Sequence, residues 1–361
     1  MTSFKKYFIY HFKSTFFRLV VVTVLSALLV LTFVSTKYYS DSTHSYKFSV
    51  DLNVLRFIVL TISIVIAILE FLPFKNRRNL DTTLFLPVDR YKMAAIHFIN
   101  GFLHILLTII ICFAITFFLL IGNHHPLNIG NFILLFAFSA FGSLAAYSVT
   151  AFVFERANTT ADGIIWLIFY SFIWVFVYNV GEALYIGLSG ITLRDFNSTP
   201  HAISAGIFSP YFLIFSVWST VQRILIPSYI ITTADQEVVK KAVHNTGVSL
   251  QSSDITGMIV WSILIPLCIF VLIWMFAKKR PENTGSISDS AFGYKILLPV
   301  SAISISTSLG ATIENVGFYV IMLISLIIGY IIYRRSIKLK VIDYVSIAIS
   351  LMMPIFLLNL L

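Results

Sequence analysis

Few side chains in this sequence could do chemistry, and several of them lie inside long apolar segments. Two glutamates stand out, because an ionisable group within a membrane segment is costly and often functional. Glu182 lies near the outer end of a predicted span, where it could contact a substrate, act in gating or pair across a dimer, or simply be hydrated at the headgroups. Glu70 lies near the inner end of another span, and we expect it to pair with Arg77 or Arg78.

Histidine is the other residue type with chemical potential here. His97 and His104 are seven residues apart and therefore share one helix face. They could line a cavity, but we expect packed, hydrogen-bonded side chains. His124 and His125 lack the neighbouring Cys or Asp that would complete four metal ligands. The sequence therefore predicts no metal site.

Familiar catalytic and nucleotide-binding motifs are absent from the sequence. It contains no G-x-S-x-G, H-E-x-x-H or C-x-x-C, and no G-x-x-x-x-G-K-[ST] phosphate loop. Cys112 and Cys268 fall in apolar segments and are expected to be buried thiols. We predict no catalytic residue, no enzyme activity and no cofactor in this chain.

Composition indicates a membrane protein. Of the 361 residues, 58% are hydrophobic and 11% are charged, whereas a soluble domain averages about 45–50% apolar and about 25% charged residues. Apolar runs long enough to cross a bilayer recur along the chain. We predict an all-α, polytopic integral membrane protein of about nine transmembrane helices. They lie near 16–35, 54–74, 94–121, 131–154, 163–187, 257–277, 296–313, 316–333 and 342–361.

The distribution of positive charge gives the orientation. Most of the 25 lysines and arginines fall in the loops on the side of the N-terminus, which the positive-inside rule assigns to the cytoplasm. We therefore predict a multi-pass protein of the cell (plasma) membrane with a cytoplasmic N-terminus and membrane lipids as neighbours. The same distribution accounts for the pI of about 9.4, so we expect no nucleic acid as a partner.

The outer region 188–256 has no clear span. Residues 201–221 are fairly apolar, but a full crossing there would place Lys278, Lys279 and Arg280 outside, against the charge rule. We expect a re-entrant or surface-lying helix on the outer side. The polar stretch 232–254 then forms a small outer cap.

The first inner loop, residues 74–92, is the most informative segment. Asn79 is a good N-cap, Leu80 and Leu84 share a helix face, and Pro87 disfavours continuation of the helix. The pattern predicts a short amphipathic helix near 79–87 on the cytoplasmic surface. Because Leu84 and Phe85 are exposed there, this helix needs a partner, either lipid or protein.

This loop resembles a known family. The box 81–90, read as D-x-x-L-x-L-P-hydrophobic-x-R, is similar to that of ABC-2 type transporter permeases, especially the Gram-positive branch. In that family the loop is a coupling helix that docks on the ATPase subunit. The resemblance implies this role for Leu80, Asp81, Leu84, Phe85, Pro87 and Arg90.

Two further elements carry the resemblance. The stretch 279–285 resembles an R-x-x-E-x-(A)-G element, with Thr284 where alanine is expected, and implies a second cytoplasmic contact through Arg280, Glu282 and Gly285. The stretch 334–340 resembles a basic K-x-x-K connector before a last helix. The layout matches over most of the chain, whereas the specific motifs are short.

The resemblance implies an organisation and a function. Residues 1–277 would form a six-helix ABC-2 type core, and residues 278–361 a C-terminal membrane extension of about three helices. The chain would be a permease exporting peptides, antimicrobial compounds or lipid-like molecules. Its partners would be ABC ATPase subunits, which bind ATP and Mg, and a second permease, identical or related. The alternatives are a membrane-embedded enzyme of lipid or cell-wall metabolism and an ATP-independent carrier.

Overall fold

The protein is a helical bundle with a small antiparallel sheet at one end. The computed structural model describes residues 3–40, 45–76, 88–122, 128–189, 209–225, 228–234, 237–243, 252–279, 282, 284–286, 293–310 and 316–360. The helices are α1 Ser3–Phe33, α2 Asn53–Phe71, α3 Arg90–Gly122, α4 Ile129–Arg156, α5 Thr160–Ser189, α6 Pro210–Leu225, α7 Ser252–Ala277, α8 Tyr294–Gly310, α9 Val316–Arg334 and α10 Val341–Leu360. A short 3-10 helix, Leu72–Lys75, extends α2, and the strands are β1 Ser35–Ser40, β2 Ser45–Asp51, β3 Ser228–Ala234 and β4 Glu237–Val243.

Six helices are long and apolar enough to cross a membrane. Their spans are Phe4–Phe33, Asn53–Lys75, Arg90–Gly122, Ile129–Arg156, Ile255–Ala277 and Gly317–Arg334. Three further apolar segments of helices, Thr160–Ile173, Tyr294–Thr307 and Val341–Pro354, are shorter over the residues whose side chains the structure describes. Six of the predicted segments thus meet the length and hydropathy expected of a span.

The surface of the bundle is apolar along these helices. Phe17 of α1, Phe118 of α3 and Phe270 of α7 are 78%, 70% and 66% exposed. Soluble monomers rarely expose contiguous apolar patches on this scale. These side chains fit a surface covered by lipid acyl chains.

Close packing joins α3, α4 and α6. A Cβ atom on Gly101 of α3 would lie 2.2 Å from the Tyr147 hydroxyl of α4, so only glycine permits this approach. The Tyr147 hydroxyl in turn donates a hydrogen bond to the Phe98 carbonyl at 3.2 Å. Gly142 of α4 similarly leaves room for Ile214 of α6.

Helix α6 runs antiparallel to α4 inside the bundle. Its first residues lie near the end of α4, where the Tyr211 and Thr150 hydroxyls are 2.8 Å apart, and Trp218 lies beside Phe138, nearer the start of α4. Sixteen residues span only about 24 Å, and α6 leads directly into the sheet at β3. The contacts with α4 place this helix against the bundle, which differs from a helix lying on the outer surface. It begins later than predicted, and residues 201–208 lie outside the described part of the chain.

A small sheet accompanies the predicted helices at the predicted outer end. The four strands pair antiparallel in the order β1-β2-β3-β4. Strand β2 pairs with β3, with Ser45 opposite Thr232 and Lys47 opposite Ile230. The predicted outer cap covers part of this region, but the hairpin β1–β2 between two predicted spans was not predicted. Strand pairing thus ties the α1–α2 connection to the α6–α7 connection.

The C-terminal helices pack onto the rest of the bundle through α5. Helix α8 lies between α5 and α10, and the Tyr294 hydroxyl donates to Asp162 at the start of α5 at 3.0 Å. Arg334 at the end of α9 donates two hydrogen bonds to the Asp343 carboxylate of α10, at 2.8 and 2.9 Å.

The sheet register predicts a specific cross-link. In the double variant Ser45→Cys with Thr232→Cys, paired residues on adjacent strands are close enough for a disulfide. Mass spectrometry of the oxidised protein should recover the linked peptides. The matched control is Ser45→Cys with Val239→Cys, because Val239 pairs with Thr232 from the far side and lies about 10 Å from Ser45. Equal cross-linking in the two variants would contradict the strand order.

Candidate functional site

A fully buried carboxylate on α2 organises the most polar region inside the bundle. The side chain of Glu70 is 0% exposed. Its Oε2 atom accepts a hydrogen bond from the Arg18 guanidinium of α1, and its Oε1 atom lies 2.5 Å from His11 Nε2. Asn100 of α3 donates to Oε1 at 3.0 Å, and His97 Nδ1 is 3.5 Å from the same oxygen. We call these five residues the Glu70 cluster.

Further polar groups of α1 and α3 surround the cluster. The Tyr7 hydroxyl lies 3.1 Å from His97 Nε2. Thr15 accepts a hydrogen bond from Asn100 at 3.1 Å and lies 3.4 Å from His104 Nε2. The expected hydrogen bonding of the two histidines is therefore present, and it joins α1 to α3.

The structure gives Glu70 two partners that were not predicted, Arg18 and His11. The expected partners, Arg77 and Arg78, lie outside the described residues. Burying an unpaired carboxylate costs several kcal/mol. The Arg18 guanidinium on α1 offsets that cost, because it donates a hydrogen bond directly to the Glu70 carboxylate.

Helical spacing contained a signal for this cluster. His11 and Arg18 are seven residues apart on α1, as are His97 and His104 on α3, so each pair lies on one helix face. The α3 pair was recognised from its spacing, whereas Arg18 is one of the Lys and Arg residues from which the orientation was predicted. The spacing does not show which helices pack together and bring these two faces into contact.

A second group of charged residues joins the ends of three helices at the opposite end from the sheet. Glu155 at the end of α4 lies 2.7 Å from Lys279 Nζ beyond α7 and 3.6 Å from Lys75 Nζ beyond α2. Lys75 also donates to the backbone carbonyls of Glu155 and Ala157, at 2.9 and 2.6 Å. The side chains of Lys75 and Glu155 are almost fully buried.

The predicted coupling residue Arg90 reaches the same place. It is the first residue of α3, and its Nη1 atom donates to the Lys279 carbonyl at 3.2 Å. Both ends of the first inner loop are therefore attached to the inner ends of other helices. The remaining predicted coupling residues, Leu80, Asp81, Leu84, Phe85 and Pro87, lie outside the described part of the chain.

The second and third motifs meet the turn between α4 and α5. The Gly285 N–H donates to the Asn158 carbonyl at 3.0 Å, and Gly285 has a φ of +84°, which favours glycine. Arg335 of the basic connector donates to the Gly285 carbonyl at 3.1 Å and lies 3.6 Å from Asp162. We call Lys75, Arg90, Glu155, Lys279 and Gly285 the inner platform.

The remaining predicted site residues are Arg280, Glu282 and Glu182. Glu282 is exposed beside the inner platform, and Arg280 lies outside the described residues. Glu182 lies on α5, in the part of that helix for which the structure describes the backbone.

Comparison with known proteins does not identify the chain. No family model, no curated protein and no solved structure matches it.

The buried ion pair predicts a measurable loss of stability. Glu70→Gln leaves Arg18 without its counter-charge, and breaking a buried pair in this way costs roughly 3–5 kcal/mol. We expect a lower thermal unfolding temperature in lipid nanodiscs. Adding Arg18→Gln should restore part of the loss.

The matched control is Ser63→Ala. Ser63 is buried on the same helix, seven residues earlier, and its hydroxyl donates to the Val59 carbonyl of its own helix. If Glu70→Gln unfolds at the same temperature as Ser63→Ala, the ion pair contributes no stability.

Proposed function

We propose that this chain is the membrane-spanning permease subunit of an ATP-driven, ABC-2 type transporter. It would lie in the cell membrane with its N-terminus in the cytoplasm and export peptides, antimicrobial compounds or lipid-like molecules. The observation that carries the proposal is the inner platform. There Arg90 of the first inner loop donates a hydrogen bond to Lys279 of the second family-like element, and Gly285 of that element accepts one from Arg335 of the third.

The contacts supply a route from the loop into the bundle. Lys75 lies at the start of the loop and donates a hydrogen bond to the Glu155 carbonyl at the end of α4. Arg90 lies near the end of the loop and donates one to the Lys279 carbonyl beyond α7. A displacement of the loop would therefore act on α2 and α3 directly, and on α4 and α7 through these bonds. Buried charged contacts suit this role, because they resist separation in a region of low dielectric.

The energy source in this proposal is a separate polypeptide. No phosphate-binding loop occurs in the sequence, so ATP and Mg would be bound by ABC ATPase subunits. ATP-driven closure of those subunits would move the 79–87 segment and rearrange the helices between an inward-open and an outward-open state. A second permease, identical or related, completes the assembly.

The Glu70 cluster favours a second candidate, an ATP-independent carrier. Ionisable residues within membrane segments often mark ion pathways, and Glu70 is fully buried among histidines. However, both carboxylate oxygens are held by hydrogen bonds from α1 and α3. This pattern suits a structural connection as well as a pathway, and ATP dependence of transport separates the two candidates.

Docking of the ATPase can be tested at the apolar residues of the predicted coupling helix. In Leu84→Asp or Phe85→Asp, a charge would replace an apolar contact, and we expect the co-purified ATPase to fall at least about tenfold, the equivalent of roughly 1.4 kcal/mol. The control is Ile337→Asp, since Ile337 is 84% exposed and lies outside the loop, in the connector after α9.

A second variant separates docking from coupling. Glu155→Gln weakens its contacts with Lys75 and Lys279 and leaves the loop sequence intact. The ATPase should still co-purify, but its stimulation by the permease should decrease.

Undiminished ATPase binding in both loop variants, with the permease folded, would overturn the proposed function.

A further inference from the structure

Three side chains of the Glu70 cluster have the donor types and spacing of a transition-metal site. One ligand atom each from His11, Glu70 and His97 can be chosen such that all lie within 4.8 Å of one another. The three residues come from α1, α2 and α3. Two imidazoles and a carboxylate form a common ligand set for Zn²⁺ and related divalent ions.

Two buried polar atoms that lack a hydrogen bond are a second observation. His97 Nδ1 and Asn100 Oδ1 are among several such atoms in the described residues, and these two lie beside Glu70, where His97 Nδ1 has only the 3.5 Å contact with Oε1. His97 is 3% exposed and Asn100 is 0% exposed. Buried polar atoms are nearly always paired, so two such atoms beside one carboxylate indicate a ligand that the protein atoms alone do not supply.

The contact with Tyr7 suits a ligating histidine. When His97 Nε2–H donates to the Tyr7 oxygen at 3.1 Å, the lone pair lies on Nδ1, on the side of Glu70. Metal-ligating histidines typically donate their other ring N–H in this way, which selects the tautomer and orients the ring. Tyr7 would thus be a positioning residue for His97.

The distances allow a metal ion after a small adjustment. Two ligands on a tetrahedral ion with bonds of about 2.0–2.1 Å are about 3.3 Å apart. The separation of His97 Nδ1 and Glu70 Oε1 is 3.5 Å, close to this value, whereas the 2.5 Å separation at His11 would have to widen. The fourth position would go to Asn100 Oδ1 or to water.

We propose that the Glu70 cluster binds one divalent transition-metal ion, with Zn²⁺ as the preferred ion and His11, Glu70 and His97 as ligands. The ion joins α1 to α2 and α3 near the predicted cytoplasmic end of the bundle. This inference is independent of the transporter proposal, since it holds for a permease, a carrier or an enzyme.

Arg18 sets the strength of this binding. It occupies the second oxygen of Glu70 and compensates the carboxylate charge when no ion is bound. An ion adds positive charge beside the guanidinium, which opposes binding. Removing that charge in Arg18→Met should therefore raise the affinity for the ion.

The experiment measures metal binding to the full chain in nanodiscs, purified through a tag without histidine. His124→Ala and His125→Ala are included in every version, so that the adjacent histidines do not bind ions. Zn²⁺ is measured by elemental analysis after dialysis, and Co²⁺ by its visible absorption. We expect one ion per chain.

The variants separate ligation from packing. His11→Ala or His97→Ala removes a ligand and should lower the affinity for the ion at least about tenfold. Tyr7→Phe should lower it about tenfold, because the His97 ring loses the group that orients it. His97→Cys should retain the ion, because a thiolate replaces the imidazole as ligand. The matched control is His104→Ala, which removes a buried histidine one heptad along α3, beyond the three ligand positions.

The proposal fails if the parent protein binds no more metal than His97→Ala. It also fails if His104→Ala loses as much affinity as His97→Ala, or if His97→Cys, monodisperse and folded, binds nothing. Any of these results would make the cluster a polar connection between helices without an ion.

Discussion

The structure depends on how a carboxylate is accommodated inside an apolar bundle. Glu70 is fully buried on a helix apolar enough to span a membrane, where no water is present to solvate it. Its partners come from the two neighbouring helices, which means that α1, α2 and α3 must keep their relative depth and rotation. The rest of the α1 surface is largely apolar, and apolar packing tolerates sliding and rotation. The polar contact with Glu70 therefore determines the depth and rotation of α1 more precisely than packing would.

The same helices lead to the inner platform. Helix α2 continues from Glu70 to Lys75, and α3 begins at Arg90 and reaches His97 two turns later. A change at the cytoplasmic loop would therefore be transmitted to the Glu70 cluster through about 8–10 Å of continuous helix. Among the described residues, the inner platform and the Glu70 cluster are thus connected by helix alone.

The periodicity of the sequence predicted the helices well and the polar contacts poorly. Apolar runs locate the helices because their length must match a bilayer, and the excess of Lys and Arg in alternate loops orders them. The nearest arginines along the chain were predicted as partners of Glu70, and the structure adds Arg18, which is 52 residues away and was not predicted as a partner. Non-local pairings of this kind depend on helix rotation, which hydropathy does not encode.

The β1–β2 hairpin was missed for a related reason. It lies in a short connection between two long apolar segments, and its pairing partner β3 comes nearly two hundred residues later. The convergence of the second and third family-like motifs on the α4–α5 turn was likewise absent from their sequence order. It depends on Asn158, Asp162 and Gly285, residues that are unremarkable until the helix ends are brought together.

In the proposed function, an ATPase drives this bundle from its inner platform. Native mass spectrometry of the tagged chain, cross-linked in its own membranes and then purified, tests this claim most directly. We predict a complex that contains paired permease chains and a chain with a phosphate-binding loop, and that hydrolyses ATP. A chain recovered without any ATPase, and moving its substrate across liposomes without ATP, would contradict the account.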